Sequence, residues 1–594
     1  MKTGMQESEF IGIPVSPGTA IGPAMIVGDT CPVVEKFNIP QEDIQDEIKR
    51  FHRAMEMTRE QIEDLQKNLD NVLTESNHAR IFDAHLLITQ DQALIKEVEN
   101  RIANEHLNAE FVFKEIMDKY IADMTSIPDK YLRERAVDLR DVTSRVLKNL
   151  HGADCIKFNS LPGPRIIIAH DLVPSDTASL DRENVLAFAT EAGSRTSHTA
   201  IMARSMAIPA VVAVPSEMLK VKNGDIVIID GYKGKVIVNP KPETLDEYAN
   251  KESREGRVMA EILKENDLVV ETLDSFRVEL VANIELPEDV KIAKKYGASG
   301  IGLFRTEYMY INSYEPPSLE RQVNVYTGLL KELEGNPLVV RTFDIGGDKL
   351  GGFTESVHVD PNPFLGCRAI RLHQDFPELL TTQIKAILIA SAYGDIKIMF
   401  PMIACDDEVG QMLGLVDKVK QELREEGKTF NDNIEVGIMI ETPSAALIAE
   451  RLASRVDFFS IGTNDLVQYT LAVDRNNEKI AYLYQPAHPA ILKLIHNVVN
   501  AAIYNGIWVS VCGEMAADPR YIPLLLGMGI HELSMSALSI GTIRRVIRKL
   551  HIQQTEEVLR EALTCATADE VLDLSEGLLN QVAPDVLRLA LYGE

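Results

Sequence analysis

The sequence predicts a multidomain α/β protein, and three observations along the chain lead to that prediction. Short apolar runs broken by Gly and Pro fill residues 11–27, a pattern typical of strands joined by tight turns. From about Gln41 to His151 apolar residues recur at helical spacing with no proline until Pro128, which indicates an all-helical segment. Beyond this, about eight strand candidates alternate with helical segments over roughly 300 residues, which favours a (β/α)₈ TIM barrel.

The strands of the N-terminal part lie on both sides of the helical segment. After the first group in residues 11–27, strands return at Arg165–Ala169 and end in a predicted hairpin around Tyr232–Gly234. One discontinuous α/β domain with a helical insert is therefore expected. The predicted domains are residues 1–36 and 151–240 for the α/β domain, 37–150 for the helical insert, 241–270 for a linker helix, 271–575 for the barrel and 576–594 for a C-terminal tail.

Composition excludes several classes of function. The chain has 594 residues with 45% hydrophobic and 25% charged residues, as expected for several globular domains. Its net charge of -28 argues against binding to nucleic acid or to anionic membranes. The 6 cysteines form no CxxC pair, so neither a disulfide framework nor a cysteine-rich zinc site is indicated. Since no stretch has the pattern of a signal peptide or of a transmembrane helix, we expect a cytoplasmic enzyme.

A histidine within a Ser/Thr-rich loop is the first candidate for chemistry. Residues 193–204 read GSRTSHTAIMAR and follow a short apolar run, Val185–Ala189, that is expected to be a strand. Gly193 allows a sharp exit from that strand, and a helix is expected to begin just after His198. Helix N-termini and nearby hydroxyls favour a phosphoryl group, and imidazole is a nucleophile near neutral pH. The alternative to a catalytic role is that His198 is an ordinary solvated loop histidine near a helix cap.

The predicted barrel places polar residues at strand after strand. Its active site should lie at the carboxyl ends of the strands, where the βα loops begin. The strand candidates are Val278–Val281, Gly300–Phe304, Leu338–Phe343, Ile396–Phe400, Val436–Ile440, Phe458–Ile461, Val509–Cys512 and Glu532–Met535. The polar or reactive residues at these ends are Arg305, Arg341, Asp344, Glu441, Asn464, Asp465, Arg475 and Cys512.

Each of these residue types has a role if the ligand is a phosphorylated carboxylic acid. Arginines bind phosphate through two parallel hydrogen bonds. The carboxylates of Glu441 and Asp465 could hold one Mg²⁺, which prefers oxygen ligands. Cys512 could donate a proton. For any single residue the ordinary explanation stays open, because strand-end arginines often form ion pairs and buried cysteines often only pack.

The His198 segment resembles the phosphohistidine motif of the phosphoenolpyruvate-utilising enzymes, and within them the Enzyme I family of the sugar phosphotransferase system. Ser194 stands where that family usually has a second Gly. The N-terminal segment around residues 11–27 resembles the family as well, and so does PNPFLGCRAIR at residues 361–371, with Cys367 where the family often has Trp. The residues that match the family's phosphoenolpyruvate and Mg²⁺ motifs are Arg305, Arg341, Glu441, Asn464, Asp465, Arg475 and Cys512.

The resemblance implies a two-step phosphoryl transfer. The phosphoryl group would pass from phosphoenolpyruvate to His198, releasing pyruvate, and then to the small phosphocarrier protein HPr. Arg305, Arg341 and Arg475 would orient the donor, with Arg368 as a further phosphate contact and Asn464 in the substrate site. Mg²⁺ would be held by Glu441 and Asp465, and Cys512 would protonate the enolate carbon. The same resemblance implies a swivelling phosphohistidine domain, an HPr-docking helical insert and a homodimer formed through the barrel.

Two other functions stay open at this point. A pyruvate phosphate dikinase or phosphoenolpyruvate synthase would need an ATP-binding domain, and we expect none because no segment before Ile11 could supply it. A phosphate-state sensor that only binds partners would not need His198, the Mg²⁺ carboxylates and Cys512 together. Pyruvate release from phosphoenolpyruvate, measured with and without HPr, would distinguish all three.

Overall fold

The computed structural model of the chain divides into two compact units, Met1–Gly256 and Arg257–Tyr592, and each is described by itself. The residues described are 7–16, 18–27, 34, 36–72, 85–86, 88–126, 130–151, 163–170, 172, 184–193, 203, 208–266, 268–310, 315–346, 362–475, 477 and 480–592.

The first unit contains an eight-stranded mixed sheet with the order β1-β8-β7-β3-β4-β5-β6-β2. Its strands are β1 (Ser8–Ile11), β2 (Ile13–Ser16), β3 (Thr19–Val27), β4 (Arg165–Ala169), β5 (Val185–Thr190), β6 (Ala210–Val212), β7 (Ile226–Asp230) and β8 (Lys235–Val238). The strands β3 and β4 flank the helical insert in sequence and pair in parallel in the sheet. Along β4, Ile166 and Ile168 pack into one core while Ile167 and Ala169 pack into another, so both faces of the sheet are covered.

In the described part of the segment between β3 and β4 the structure has four helices, in agreement with the helical insert predicted from the spacing of apolar residues. They are α1 (Ile44–Val72), α2 (Gln92–Glu105), α3 (Ala109–Ser126) and α4 (Lys130–His151). Phe51 and Phe113 meet in their shared core with ring centroids 5.7 Å apart. At the edge of this core Arg50 forms ion pairs of 2.7 Å with both Glu47 and Glu110. The helix α5 (Pro242–Lys264) then leads from the first unit to the second.

The second unit is a closed barrel of eight parallel strands, which confirms the predicted (β/α)₈ fold. Its strands are β9 (Glu279–Ile284), β10 (Ile301–Arg305), β11 (Leu338–Arg341), β12 (Ile396–Phe400), β13 (Val436–Ile440), β14 (Phe458–Ile461), β15 (Trp508–Val511) and β16 (Glu532–Met535). The third strand ends at Arg341, two residues before the predicted end at Phe343, and the seventh ends at Val511, so Cys512 lies just beyond it.

Helices cover the outside of the barrel and bury its apolar outer face. They are α6 (Asp289–Lys295), α7 (Leu319–Leu333), α8 (Pro377–Ala390), α9 (Asp406–Glu425), α10 (Pro443–Leu447), α11 (Ala449–Ala453), α12 (Thr463–Leu471), α13 (Pro489–Asn505), α14 (Ile522–Gly527), α15 (Ala537–Ile547), α16 (Ile552–Ala562), α17 (Ala568–Val582) and α18 (Pro584–Tyr592). The last of these, within the predicted C-terminal tail, buries Leu587 in the same core. Among the described residues, no helix combines the length and the apolar character needed to cross a membrane.

The inside of the barrel differs from one side to the other. Leu303, Val339, Met399 and Met439 on β10 to β13 form a separate apolar cluster together with Phe458 and Cys512, which is the usual filling of such a barrel. On β14 and β15 the buried residues Ser460 and Ser510 add hydroxyl groups to this interior.

Candidate active site at the carboxyl ends of the barrel strands

The strand-end residues predicted from the sequence gather at one end of the barrel. Arg305 and Arg341 are the last residues of β10 and β11, and Glu441 directly follows β13. Asp465 lies in the first turn of α12, after β14, and Cys512 follows β15. Since all eight strands run in parallel, their carboxyl ends meet at the same rim and bring these side chains together.

Three buried carboxylates form the centre of the site. Asp344, Glu441 and Asp465 each offer an oxygen, and these oxygens all lie within 4.8 Å of one another. Burial raises the pKa of Glu441 to about 8, and the nearby charges of Asp344 and Asp465 add to this shift, while Arg341 opposes it. The arrangement is unfavourable for three anions alone and suits a hard divalent cation with oxygen ligands.

An oxygen of Asp465 without a hydrogen-bond partner also supports a divalent cation at this site. Asp465 Oδ1 is buried and accepts no hydrogen bond from any described residue, and its nearest ion-pair partner, Arg475 Nη2, is 3.7 Å away. Glu441 Oε1, in contrast, accepts a hydrogen bond of 2.6 Å from the Met402 amide, which fixes its orientation. The sequence predicted Glu441 and Asp465 as metal ligands but left Asp344 without that role, although Asp344 was among the strand-end residues.

Arg341 is a buried arginine of the site that is held by two carboxylates. Its Nη2 lies 3.0 Å from Glu307 Oε1, and its Nη1 lies 3.1 Å from Asp344 Oδ2. Its buried Nε has no hydrogen-bond partner among the described residues. Glu307 Oε1 also accepts a hydrogen bond of 2.7 Å from the Asp344 amide, so one carboxylate orients both Arg341 and a ligand of the acidic cluster.

Arg368 lies on the other side of Asp344. Its Nε and Nη2 donate to the two carboxylate oxygens of Asp344 at 2.9 and 2.7 Å, a bidentate pair. Its Nη1 lies 3.2 Å from the hydroxyl of Tyr469, which in turn donates to the Phe364 carbonyl at 2.7 Å. The segment that the sequence singled out around residues 361–371 is thereby tied to the barrel mouth through Asp344 and Tyr469.

The remaining polar residues lie around this centre. Arg305 Nη1 forms an ion pair of 2.5 Å with Glu285, and more than a third of the Arg305 side chain is exposed. Asn464 accepts a hydrogen bond of 2.9 Å from the Glu514 amide through Oδ1, which fixes its side chain beside Asp465. Arg305 and Arg475 therefore form the solvent-facing side of a site whose inner side is Arg341 and the three carboxylates.

Cys512 is a buried thiol at the same rim. Burial raises its pKa to about 11, although hydrogen bonding to Ser460 and the charge of Arg341 lower it in part. The thiol is therefore protonated at neutral pH, which is the state that a proton donor requires. Its Sγ lies 3.6 Å from the Ile461 carbonyl, and its own carbonyl accepts a hydrogen bond of 2.9 Å from Asn283 Nδ2, so the residue is fixed from both sides.

The histidine predicted as phosphoryl acceptor, His198, lies outside the described residues, as do Arg195 and Arg204. The strand that leads to it is described: β5 ends at Thr190, close to the prediction. Gly193 has a φ of 124°, the left-handed region that favours glycine and that the predicted turn requires. The role of His198 therefore stays a prediction.

Glu307 and Tyr469 were not predicted as site residues. Glu307 belongs to the same Leu-Phe-Arg-Thr-Glu segment as Arg305, and this proximity was the only signal available in the sequence. Tyr469 follows the Asn464–Asp465 pair by one helical turn on α12, which places it on the same face of the helix as Asp465.

Comparison with protein families divides the chain into three matching segments. Residues 259–552 match the family described as PEP-utilising enzyme, PEP-binding domain. Residues 11–135 match PEP-utilising enzyme, N-terminal, and residues 161–234 match PEP-utilising enzyme, mobile domain. The barrel with its acidic cluster thus falls in the first segment, and His198 falls in the last.

Curated relatives match the chain over nearly its whole length. The phosphoenolpyruvate-protein phosphotransferases of Bacillus sp. (strain S) and Geobacillus stearothermophilus are each 44% identical over 572 residues, which is 96% of this chain and 98% of theirs. The phosphoenolpyruvate-protein phosphotransferase of Haemophilus influenzae is 41% identical over 568 residues, again 96% of this chain and 98% of its own.

Proposed function

The chain belongs to the PEP-utilising enzyme family, and from this premise we propose that it is a phosphoenolpyruvate-protein phosphotransferase. It transfers the phosphoryl group of phosphoenolpyruvate to its own His198 and then to the phosphocarrier HPr, the first step of sugar uptake by the phosphotransferase system. The observation that carries this proposal is the acidic cluster of Asp344, Glu441 and Asp465, flanked by arginines and a protonated thiol at the carboxyl end of the barrel.

The acidic cluster would hold Mg²⁺ through carboxylate oxygens of Asp344, Glu441 and Asp465. When bound, the cation supplies a positive charge that stabilises the phosphoryl and enolate oxygens as negative charge develops on them. The protein's part is to hold these carboxylates in place: the Met402 amide fixes Glu441, and Arg368 fixes Asp344.

The arginines bind and orient the donor. Arg341, fixed by Glu307, provides the inner guanidinium, and Arg305 and Arg475 close the site from the solvent side. Phosphoenolpyruvate carries a phosphate and a carboxylate, and planar guanidinium groups match both through paired hydrogen bonds. In a loose phosphoryl-transfer transition state, positioning and charge stabilisation of this kind provide most of the rate enhancement.

Cys512 completes the first step by proton transfer. As the P–O bond breaks, the electron pair of that bond stays with the enolate, and the enolate carbon takes the proton of the Cys512 thiol to give pyruvate. The phosphoryl group passes to a ring nitrogen of His198. Since His198 belongs to the first unit and the donor site to the second, the two must meet during each turnover.

The second step passes the phosphoryl group from His198 to HPr. By family resemblance the helices α1 to α4 provide the docking surface for HPr, and the barrel provides the interface of a homodimer in the cytoplasm. Transfer between two histidines is nearly balanced in energy and uses none of the barrel-mouth residues. HPr is therefore expected to exchange phosphate with His198 even when the barrel-mouth residues are inactivated.

The test is pyruvate release from phosphoenolpyruvate by the full-length protein. With Mg²⁺ and without HPr, we expect about one pyruvate per chain because His198 is the acceptor. With HPr in excess, release should become catalytic. Pyruvate release that requires AMP and pyrophosphate would instead identify a dikinase, and absence of release under both conditions would leave a protein that only binds its partners.

A further inference from the structure

Tyr469 is a residue of the barrel mouth to which the proposed reaction assigns no role. It lies on α12 four residues after Asp465, so the two side chains share one face of that helix. Both of them approach Arg368. The guanidinium Nη1 donates to the Tyr469 hydroxyl at 3.2 Å, and Nη2 lies 3.8 Å from Asp465 Oδ2. Arg368 is therefore held from α12 as well as by its bidentate pair with Asp344.

The hydrogen bonds of the Tyr469 hydroxyl have a fixed direction. A guanidinium can only donate, so the tyrosine oxygen accepts from Arg368, and its single hydrogen goes to the Phe364 carbonyl at 2.7 Å. Burial raises the pKa of Tyr469 well above its usual range, although the charge of Arg368 lowers it in part. The hydroxyl therefore keeps its proton at neutral pH and joins the Arg368 guanidinium to the backbone of Phe364.

Phe364 and Arg368 are the two ends of a short turn at the surface of the barrel mouth. Leu365, between them, is 68% exposed, so the middle of the turn has little packing to hold it. The guanidinium carbon of Arg368 lies 5.7 Å from the centroid of the Phe364 ring, within the range of a cation–π contact. The Tyr469 hydroxyl thus holds both ends of a turn whose middle faces solvent.

Two buried residues next to these contacts have a backbone conformation that side chains rarely adopt. Ala369, directly after Arg368, has a φ of 55°, and Met402 has a φ of 59°. The Met402 amide holds Glu441, and the Met402 sulfur lies 3.8 Å from the Tyr469 hydroxyl. Left-handed residues of this kind persist where surrounding contacts determine them, and they cluster at active sites. The Tyr469 hydroxyl contacts Met402 itself and the residue that precedes Ala369.

Arg368 still has hydrogen-bond donors to offer to a ligand. A guanidinium carries five N–H groups in a planar fork. Among the described residues, Asp344 accepts from Nε and Nη2 and Tyr469 accepts from Nη1, which leaves one N–H on each of Nη1 and Nη2. Two N–H groups on neighbouring nitrogens can bind an oxyanion through paired hydrogen bonds. The direction of this remaining pair is set jointly by Asp344 and Tyr469.

We propose that Tyr469 is a positioning residue whose hydroxyl orients Arg368 toward the phosphoryl group of phosphoenolpyruvate. Without the hydroxyl, Nη1 loses its acceptor and the Phe364 carbonyl loses its donor, so the guanidinium is free to turn about its contact with Asp344. Arg368 then binds the donor less tightly, while the acidic cluster and Cys512 stay in place. This inference rests on the proposed function.

Tyr469→Phe tests the proposal because it removes only the hydroxyl and keeps the ring. In rapid-quench experiments without HPr and at fixed Mg²⁺, the first pyruvate formed is measured against the concentration of phosphoenolpyruvate. The half-saturating concentration should rise about tenfold, the range found when a group that orients a site residue is removed. The maximal rate should fall less than about threefold, since the bound donor still meets the same carboxylates and thiol. The matched control Tyr326→Phe removes a buried hydroxyl that bonds Gln322 and Gln383 on the outer helices, and it should keep both values.

A double-mutant cycle tests whether Tyr469 acts through Arg368. Once Arg368→Ala has removed the guanidinium, adding Tyr469→Phe should raise the half-saturating concentration by less than about twofold, because the group that the hydroxyl orients is already absent. Melting temperatures of all variants show whether they are folded. Arg368→Lys, which keeps a positive charge beside Asp344, replaces Arg368→Ala in the cycle if the latter melts well below the wild type.

Three results would overturn the proposal: a half-saturating concentration in Tyr469→Phe equal to that of the wild type, a fall in its maximal rate alone, or losses that multiply in the double variant. Absence of pyruvate release by the wild type would instead overturn the proposed function, so the two failures are distinguishable.

Discussion

The two ends of the barrel each bury a glutamate with a raised pKa, and the surroundings of the two differ. At the carboxyl end Glu441 has Asp344 and Asp465 beside it, and its pKa is raised to about 8. At the amino end Glu532 faces Lys397, whose charge opposes the effect of burial, and its pKa is raised to about 7. The converging carboxylates around Glu441 favour an added cation, whereas the carboxylates around Glu532 have the positive charge of Lys397 among them.

The lysine at the amino end is held by its own partners. Lys397 Nζ lies 2.6 Å from Glu435 Oε2 and 3.4 Å from Asp395 Oδ1, and Trp508 Nε1 donates to the same Glu435 oxygen at 3.2 Å. At the carboxyl end the corresponding cations are arginines on Asp344. Lys397 is thus paired with two carboxylates at the amino end, whereas at the carboxyl end Asp465 Oδ1 has no hydrogen-bond partner among the described residues and offers a place for an added cation.

The largest loss of pyruvate formation is expected from Glu441→Gln at the carboxyl end. The variant keeps the volume and an oxygen for the Met402 amide but loses the charge that holds a cation. Loss of several kcal/mol of charge stabilisation corresponds to roughly a thousandfold slower pyruvate formation. Titration calorimetry with Mg²⁺ and phosphoenolpyruvate would check the binding. Unchanged rate and unchanged metal dependence would show that the metal site lies elsewhere.

Cys512→Ala should have the next largest effect. General acid catalysis contributes about 10²- to 10⁴-fold, so pyruvate formation should fall by a factor in this range. Phosphoenolpyruvate should still bind because the arginines and carboxylates are intact, and equilibrium binding measured by calorimetry would show it. If the variant forms pyruvate at the wild-type rate, Cys512 is a packing residue.

Two substitutions of Glu307 distinguish its role in orienting Arg341 and Asp344 from the effect of its negative charge. Glu307→Ala removes the acceptor shared by Arg341 and the Asp344 amide, so we expect kcat/KM for phosphoenolpyruvate to fall about 10- to 100-fold, as for other groups that orient site residues. Glu307→Gln keeps an acceptor oxygen and should recover most of this loss. Steady-state kinetics of both variants would decide, and equal losses in the two would mean that the negative charge matters more than the orientation.

The smallest expected effect is that of Glu532 at the amino end on the pH dependence of the free energy of unfolding. A raised pKa in the folded state means that Glu532 contributes stability that is complete below its unfolded value, about 4.5, and is lost as pH rises through about 7. Because glutamine does not ionise, Glu532→Gln should not lose this stability as the pH rises. Since Glu532 is not wholly shielded from water, the gain of the variant over the wild type should be on the order of 2 kcal/mol. Melting temperatures at pH 5 and pH 8 would test it, and a constant difference between the two proteins would contradict the raised pKa.

The sequence was sufficient for much of the barrel and its rim. The strands β12, β13, β14 and β16 begin and end where their apolar runs predicted, because such runs between charged or turn residues mark buried parallel strands. Arg341, Glu441 and Asp465 lie together because the carboxyl ends of parallel strands share one rim. These predictions needed only the order of the strands.

Other features depend on relations that the sequence does not contain. Asp344 joins Glu441 and Asp465 only through the path of the loop after β11, which Glu307 and Arg368 fix. Ser460, Ser510 and Glu532 lie in one layer inside the barrel because of the register between β14, β15 and β16, and a shift by one residue would turn these side chains out of the barrel. The placement of His198 is not described, so its role depends on the motif alone.

The most direct test of the proposed phosphoryl transfer is to find which residue receives the phosphoryl group of phosphoenolpyruvate. Full-length protein is incubated with Mg²⁺ and phosphoenolpyruvate labelled in its phosphoryl group, and the labelled residue is mapped by mass spectrometry under conditions that preserve phosphohistidine. We expect a single acid-labile label on His198, its absence in His198→Ala, and its transfer to HPr. A label on another residue, or a His198→Ala protein that is labelled like the wild type, would contradict it.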